Sequence, residues 1–299
     1  MSFLCYDYLV SKELKAALLL LLISIIWGFA FSAQSLGADH LSPITFFAIR
    51  NVIAFITMGV FVFLIRHDDD LTDNAYSIKL GIVCGIVECA ATLIQQFSIT
   101  YTTAANCSFI TSMYVVLVPI ISLLLGKKAE KKIWLCVGME IVGMYLLCVK
   151  EGFVINKGDV LAVFAAILFA VHIICIDQGG EKMDPILLCF SQFGVCTLTG
   201  VILLLAFDMP LNIQGIKDSA IPLLYTGILS SAVCLTIQVT CQKDLDPTVA
   251  SLIMCLESVF GAIGGWIVLN EVLSTKEIIG CAIMFIAIVL SQLPSKSKT

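Results

Sequence analysis

Three stretches of this chain, Ala16–Ala38, Pro185–Phe207 and Ser219–Gln242, each run past twenty residues without a charged side chain. At a 1.5 Å rise per residue, such a run as a helix covers the roughly 30 Å of a bilayer's hydrocarbon. In hydrocarbon every peptide group must find its partner inside the protein, so such runs are helices or strands of closed barrels, and at this length they are helices. Cys89 to Gly126 is also uncharged throughout. It is too long for one crossing and contains the turn-like YTTAAN at 101–106, which divides it in two. The chain has 299 residues, is 60% hydrophobic and 13% charged. A soluble domain of that size cannot hide so much apolar surface in one core, so the excess faces lipid. The formal net charge of −5 sits in loops and gives no footing for nucleic acid.

A second constraint is internal. Tyr101–Lys128 aligns without a gap on Leu245–Val272, 144 residues later, placing Ala104 on Thr248, Ile110 on Met254, Met113 on Glu257 and Lys127 on Glu271. Each copy opens on a short Thr/Pro-rich stretch, runs apolar and closes on a charge. At an offset of 142, Pro43 falls on Pro185, Arg50 on Gln192, Gly85-Ile86 on Gly227-Ile228, Gln96 on Gln238 and Trp27 on Phe169. Prolines at helix starts, glycines and intramembrane glutamines are sparse, so their coincidence at one spacing marks two copies of one unit.

The expected fold is an all-α integral membrane protein of ten transmembrane helices in two five-helix repeats, residues 14–149 and 158–293. The helices are expected at about 14–36, 43–65, 77–99, 103–126 and 132–149, then 158–177, 185–207, 220–242, 247–270 and 275–293. The joints are short and polar. The basic start before helix 1 (Lys12, Lys15) resembles a signal peptide, but the apolar run is too long and belongs to the repeat, so it is expected to be retained. Orientation follows from the basic residues. With the N-terminus cytoplasmic, the inside holds Lys12, Lys15, Arg66, Lys79, Lys127, Lys128, Lys131, Lys132, Lys182, Lys243, Lys296 and Lys298, and the outside only Lys150, Lys157, Lys217 and Lys276. Both termini are therefore expected in the cytoplasm. Five helices per unit is odd, so the second unit enters with opposite polarity and the repeats are inverted. That arrangement supports two conformations opening alternately around a midplane site.

Polar groups at membrane depth are the candidates for function. Glu88 lies about 16 Å into helix 3 and Glu257 about 15 Å into helix 9, both near the midplane. Glu88 shares a face with Thr92 and Gln95 or Gln96, and the spacings Gly81-x-x-x-Gly85 and Gly261-x-x-x-Gly265 favour close packing of these helices. The two carboxyls could bind a cationic group or take a proton, or serve as hydrogen-bond partners to a broken helix end or to Arg50. Gln96 and Gln238, equivalent in the repeats, suit a pseudo-symmetric site or interhelical packing. Trp27, Asn106, Tyr114 and His172 are candidates for the same cavity. Arg50 and Glu140 read as structural, and His67-Asp68-Asp69-Asp70 as a solvated loop. Thirteen cysteines stand singly in apolar spans with no C-x-x-C pair, as small helix residues do. No metal or cofactor is expected. There is no Walker loop, H-E-x-x-H, G-x-S-x-G or paired aspartates at a membrane surface, so nothing points to an enzyme.

Several of these stretches resemble the EamA domain of the drug/metabolite transporter superfamily. They are Trp27-Gly28-x-x-Phe31, Pro43 with Arg50, TTAANCSFITSMYVVLVPIISLLLG, Gly158-Asp159, LYTGILSSAVCLTIQVTCQK and SLIMCLESVFGAIGGWIVLNE. The resemblance covers nearly the whole chain as two EamA units. It implies a ten-helix carrier of the inner (cytoplasmic) membrane with a central cavity, moving metabolites, amino acids or drugs, often outward. In that family helix 9 usually reads L-E-P; here Ser258 replaces the proline, which questions a kink at that point. The usual G-E closing helix 4 is Gly126-Lys127, so that acid's role could transfer only to Glu271. The reading is a secondary transporter, with a membrane enzyme or a passive channel or scaffold as the alternatives. Its expected partners are a small organic solute and the lipid bilayer, and the Gly-x-x-x-Gly faces allow a homodimer.

Overall fold

The computed structural model describes residues 3–66, 72–127, 131–148, 156–269 and 274–292. His67–Asp70, Lys128, Lys150, Glu271, Lys296 and Lys298 lie outside them. The described residues are helical: α1 (Phe3–Ala38), α2 (Pro43–Leu64), α3 (Asn74–Ile99), α4 (Ala104–Thr111), α5 (Tyr114–Leu124), α6 (Lys131–Cys148), α7 (Lys157–Asp177), α8 (Pro185–Phe207), α9 (Ile213–Asp218) and α10 (Ala220–Leu224). The last runs through a π-helical stretch, Tyr225–Val233, into α11 (Cys234–Gln242), followed by α12 (Pro247–Met254), α13 (Glu257–Leu269) and α14 (Thr275–Gln292). Eight stretches among the described residues are long and apolar enough to cross a membrane: α1 from Lys12, α2, α3, α4–α5 together, α7, α8, α10 through α11, and α12–α13 together. The protein is a multi-pass membrane protein.

Local chemistry fixes the helix starts. Pro43, Pro185 and Pro247 each begin a helix, where a missing N–H is no loss. The residue before each supplies a cap: Ser42 accepts from the Thr45 N–H, Asp184 from Ile186 and Leu187, and Asp246 from Thr248. Asn156 and Asp159 cap α7 reciprocally.

The packing maps onto itself when the halves are exchanged. α3 packs on α7 and α8, while its counterpart, the π-helical stretch with α11, packs on α1 and α2. α1 packs on α13 and, reciprocally, α7 on α4 and α5. α2 pairs with α8 and α6 with α14, each with its own counterpart. The exchange holds at atomic detail. A methyl group on Gly85 would sit 2.9 Å from the Gln192 carbonyl oxygen and 3.0 Å from Val195 Cβ. One on Gly227 would sit 3.0 Å from the Arg50 carbonyl oxygen and 2.8 Å from Ile53 Cβ. All three residues of the second contact lie 142 positions from those of the first.

The ends of α2 and α8 repeat the pattern. Arg66, just past α2, donates from Nε to Asp184 Oδ2 at 2.7 Å, at the start of α8. At the opposite end, Ser42 and Thr45 at the start of α2 donate their hydroxyls to Asp208, just past α8. Ser42 corresponds to Asp184 and Arg66 to Asp208 at the same offset. The helices therefore run antiparallel, tied once at each end by equivalent positions with different chemistry.

Two expected helices are not continuous. The fourth breaks at Ser112-Met113 and the ninth at Cys255-Leu256, nearly the same place in each copy. No proline stands at either break, so the loss of the proline after Glu257 did not straighten the helix. Hydroxyls and a thiol bond the carbonyls around the breaks instead. Ser112 donates to the Ser108 carbonyl, Ser258 to Cys255, Cys255 Sγ to Leu252, and Ser24 reaches across from α1 to Ile253 at 3.1 Å.

Two outcomes are expected. Gly85→Leu and Gly227→Leu each prise apart one of the paired contacts and cost at least the roughly 1–3 kcal/mol of overpacking. A thermal melt in detergent reads this as a lower midpoint for both, against little change for Gly138→Leu, where an added Cβ meets nothing. In a double-mutant cycle, Arg66→Ala and Asp184→Ala should be non-additive by about 0.5–3 kcal/mol; additive losses would mean the pair does not tie α2 to α8.

Candidate functional site

The two halves enclose a central cavity of about 70 Å³, room for a handful of water molecules. Trp27, Gln34 and Arg50 reach it from the first two helices, Glu88, Thr92 and Gln95 from α3, and Thr111 and Tyr114 from the two sides of the first break. From the second half come Phe169 and His172 on α7, Ser230 and Ser231 on the π-helical stretch, Gln238 on α11, and Met254 and Glu257 at the second break. Glu88, Glu257, Arg50 and His172 are all under a tenth exposed.

These groups are linked across the halves. The first break meets the second where Ser112 Oγ lies 3.3 Å from Glu257 Oε1, at the first residue of α13. His172 Nε2 lies 3.0 Å from Gln192 Oε1, which makes that nitrogen the N–H donor; Nδ1 stands 3.7 Å from Glu88 Oε2. Arg50 donates from Nε to Ser231 Oγ at 2.9 Å and from Nη1 to Gln34 Oε1 at 3.2 Å. That occupies two of a guanidinium's five N–H donors, and among the described residues no carboxylate pairs with it. Trp27 donates from Nε1 to the Ser230 carbonyl at 2.8 Å. That carbonyl lies in the π-helical stretch, whose hydrogen bonds reach one residue further than in an α-helix.

Six of the residues expected at the site line this cavity: Trp27, Glu88, Tyr114, His172, Gln238 and Glu257. Gln96 and Asn106 do not. On α3, Thr92 and Gln95 follow Glu88 at the i+4 and i+7 positions of one face, whereas Gln96 is turned away. Gln96 is buried, and among the described residues neither its Oε1 nor its Nε2 has a hydrogen-bond partner. Asn106 sits in the first turn of α4, whose N–H is capped by Thr103 Oγ1, too near the helix end to reach the centre. Gln238 nevertheless faces the cavity, where it donates to Gln242 Oε1 at 2.8 Å. The wide turns before it shift the helix face by about one residue, so it takes the position that Gln95 holds in the first half.

Arg50, read from the sequence as structural, also lines the cavity. Ser230 was also missed, although the 142-residue offset places it on Glu88, a signal that could have found it. Lys127, standing where an acid was expected, pairs with Asp177 at the end of α7. Glu271 lies outside the described residues. Among the described residues no cluster of three or more His, Cys, Asp or Glu is placed to hold a metal ion.

The fold and this chain's sequence have relatives. A crystal structure of another protein superposes with a TM-score of 0.76 at 12% identity, covering 93% of this chain and 98% of its own, a likeness of fold alone. An uncharacterized transporter of Archaeoglobus fulgidus is 30% identical over 287 residues, 94% of this chain and 87% of its own length. The EamA-like transporter family matches twice, at residues 14–149 and 156–293. With both matches spanning nearly the whole sequence, the chain belongs to the EamA-like transporter family.

Proposed function

We propose that this membrane transporter is a secondary carrier exporting a small organic solute by alternating access through the central cavity. In this reading ten helices cross the membrane as two inverted five-helix repeats, with both termini in the cytoplasm of a cell membrane. The carrying observation is that buried Glu88, Glu257, Arg50 and His172 converge on one cavity between the halves. Intramembrane ionisable groups are costly and are kept where they meet a solute or an ion. The antiparallel α2–α8 pair and the exchange-symmetric packing favour inversion. So does the distribution of Lys and Arg.

The chemistry of the cavity selects the solute. Two carboxyls suit an amine or other organic cation, and the unused N–H donors of Arg50 suit an acceptor group on the same molecule. Trp27 and Phe169, equivalent in the two copies, supply aromatic faces on which a cation or an apolar tail can rest. The roles assigned are ligation by Glu257, Glu88 and Arg50, with Trp27, His172, Tyr114 and Gln238 shaping the cavity. At about 70 Å³ the cavity holds only a few waters, and loading a solute requires it to widen. Gln96 and Asn106 have no part in this reading.

The test begins with thermal shift of the purified protein against amino acids, amines, polyamines and cationic drugs, since a ligand that prefers the folded state raises its melting point. A hit is taken into proteoliposomes for counterflow. The expected result is saturable exchange of an unaltered solute, which a channel or an enzyme does not give. Glu257→Gln at equal abundance should lower it at least about tenfold, some 1.4 kcal/mol. Normal exchange in that variant would remove Glu257 from the mechanism.

A further inference from the structure

Glu88 and His172 set two hydrogen-bond acceptors against each other at the wall of the cavity. His172 stands on α7, and its Nε2 lies 3.0 Å from Gln192 Oε1 on α8. An amide oxygen can only accept, so the one hydrogen of a neutral imidazole is on Nε2, and Nδ1 presents a lone pair. That lone pair stands 3.7 Å from Glu88 Oε2 on α3. Among the described residues no hydrogen bond is donated to the Glu88 carboxyl, whereas Glu257 has Ser112 Oγ at 3.3 Å. Arg50 donates to Ser231 and Gln34 instead.

The duplicated fold does not require this arrangement. At the 142-residue offset His172 falls on Ala30, Glu88 on Ser230 and Gln192 on Arg50. The first-half counterpart of the imidazole is thus a methyl group, and that of the accepting amide is a guanidinium that only donates. Gln192 itself is held firmly. It is 0% exposed, and a Cβ on Gly85, one turn before Glu88, would sit 3.0 Å from its Cα. The close approach of α3 and α8 therefore fixes where the amide stands relative to Glu88.

The spacing of the two acceptors selects what they can hold. A nitrogen about 2.8 Å from each, the ordinary length of a charge-assisted bond, closes a triangle on the 3.7 Å base. To satisfy both acceptors it must bring two N–H groups, and the carboxylate favours a positive charge. A primary or secondary ammonium ion meets both conditions. A quaternary ion has no N–H and would be left to the faces of Trp27 and Phe169. Acceptors buried without donors are what make such a site reject the wrong ion steeply.

We infer that Glu88 Oε2 and His172 Nδ1 together bind an ammonium nitrogen through two of its N–H groups, and that Gln192 is the positioning residue that keeps His172 in the accepting form. This rests on the reading of the cavity as the solute site. It narrows the solute from organic cations in general to protonated primary and secondary amines, and gives His172 a ligating nitrogen.

The test uses the full chain in lipid nanodiscs, with its three histidines labelled with nitrogen-15 and His172→Asn identifying the signal. The unaltered protein is expected to show His172 as the Nε2–H tautomer. Methylammonium and dimethylammonium should move the Nδ1 resonance saturably. Trimethylammonium and tetramethylammonium should need at least about tenfold higher concentration. Glu88→Gln, whose amide can donate to Nδ1 itself, should abolish the response. Gln192→Leu should lose the single tautomer and weaken methylammonium at least about tenfold; if it does not fold, the measurements on the unaltered protein decide. An Nδ1–H tautomer or an imidazolium there overturns the site, because Nδ1 then has no lone pair to offer. So does the lack of a saturable shift, or an equal shift from methylammonium and tetramethylammonium. An unchanged tautomer in Gln192→Leu overturns the part given to Gln192. Methylammonium binding in protein that gives no counterflow would instead count against the transporter reading.

Discussion

Hydrocarbon offers a peptide group nothing to bond with, and this molecule is arranged around that fact. Its long apolar runs become helices because only then is each N–H and C=O satisfied from within. Where the fourth and ninth helices break, Ser112, Ser258, Cys255 and Ser24 add side-chain bonds to the carbonyls around the breaks, and Cys255 reaches Leu252, whose carbonyl has lost its usual helical donor. The two interrupted helices meet in the interior, where Glu257 at the head of α13 faces Ser112. The interruptions bring the most polar part of the molecule to its centre.

Duplication supplies the frame, and departures from it supply the chemistry. The contacts at Gly85 and Gly227 match residue for residue, as do the cavity positions Trp27 and Phe169. Glu88 faces Ser230 as its equivalent, Arg50 answers to Gln192, and the π-helical stretch has a regular helix as its counterpart. α8 still makes a bond like that of α2, since Gln192 meets His172 much as Arg50 meets Gln34. Charge is thus distributed unevenly over a nearly even scaffold, and each half lines the cavity with different side chains.

Much of this was legible in the sequence because the two strongest signals, apolar length and a repeated offset, need no knowledge of packing. Depth along a helix was legible too, which is why Glu88 and Glu257 could be placed at the same level. Rotation about the helix axis was harder. Gln96 and Gln95 are adjacent in sequence, yet only Gln95 faces the cavity, and the π-helical turns that bring Gln238 round carry no recognisable residue signature. The breaks were read as continuous helix because proline is the familiar marker of a kink, and here hydroxyls do its work. Arg50 was read as structural, and its place at the cavity depends on where Ser231 and Gln34 hold it.

The ties at the two ends of α2 and α8 carry one further consequence. Position 66 is arginine and its equivalent, 208, is aspartate. On the proposed topology these equivalent positions emerge on opposite faces of the bilayer. The machinery that inserts a nascent chain holds basic residues back on the cytoplasmic side and is far less sensitive to acidic ones. A copied arginine at 208 would have pulled the second unit toward the orientation of the first. The unlike chemistry of two equivalent ties agrees with that proposed topology: the second tie holds α2 to α8 with an acid, which weighs little on orientation.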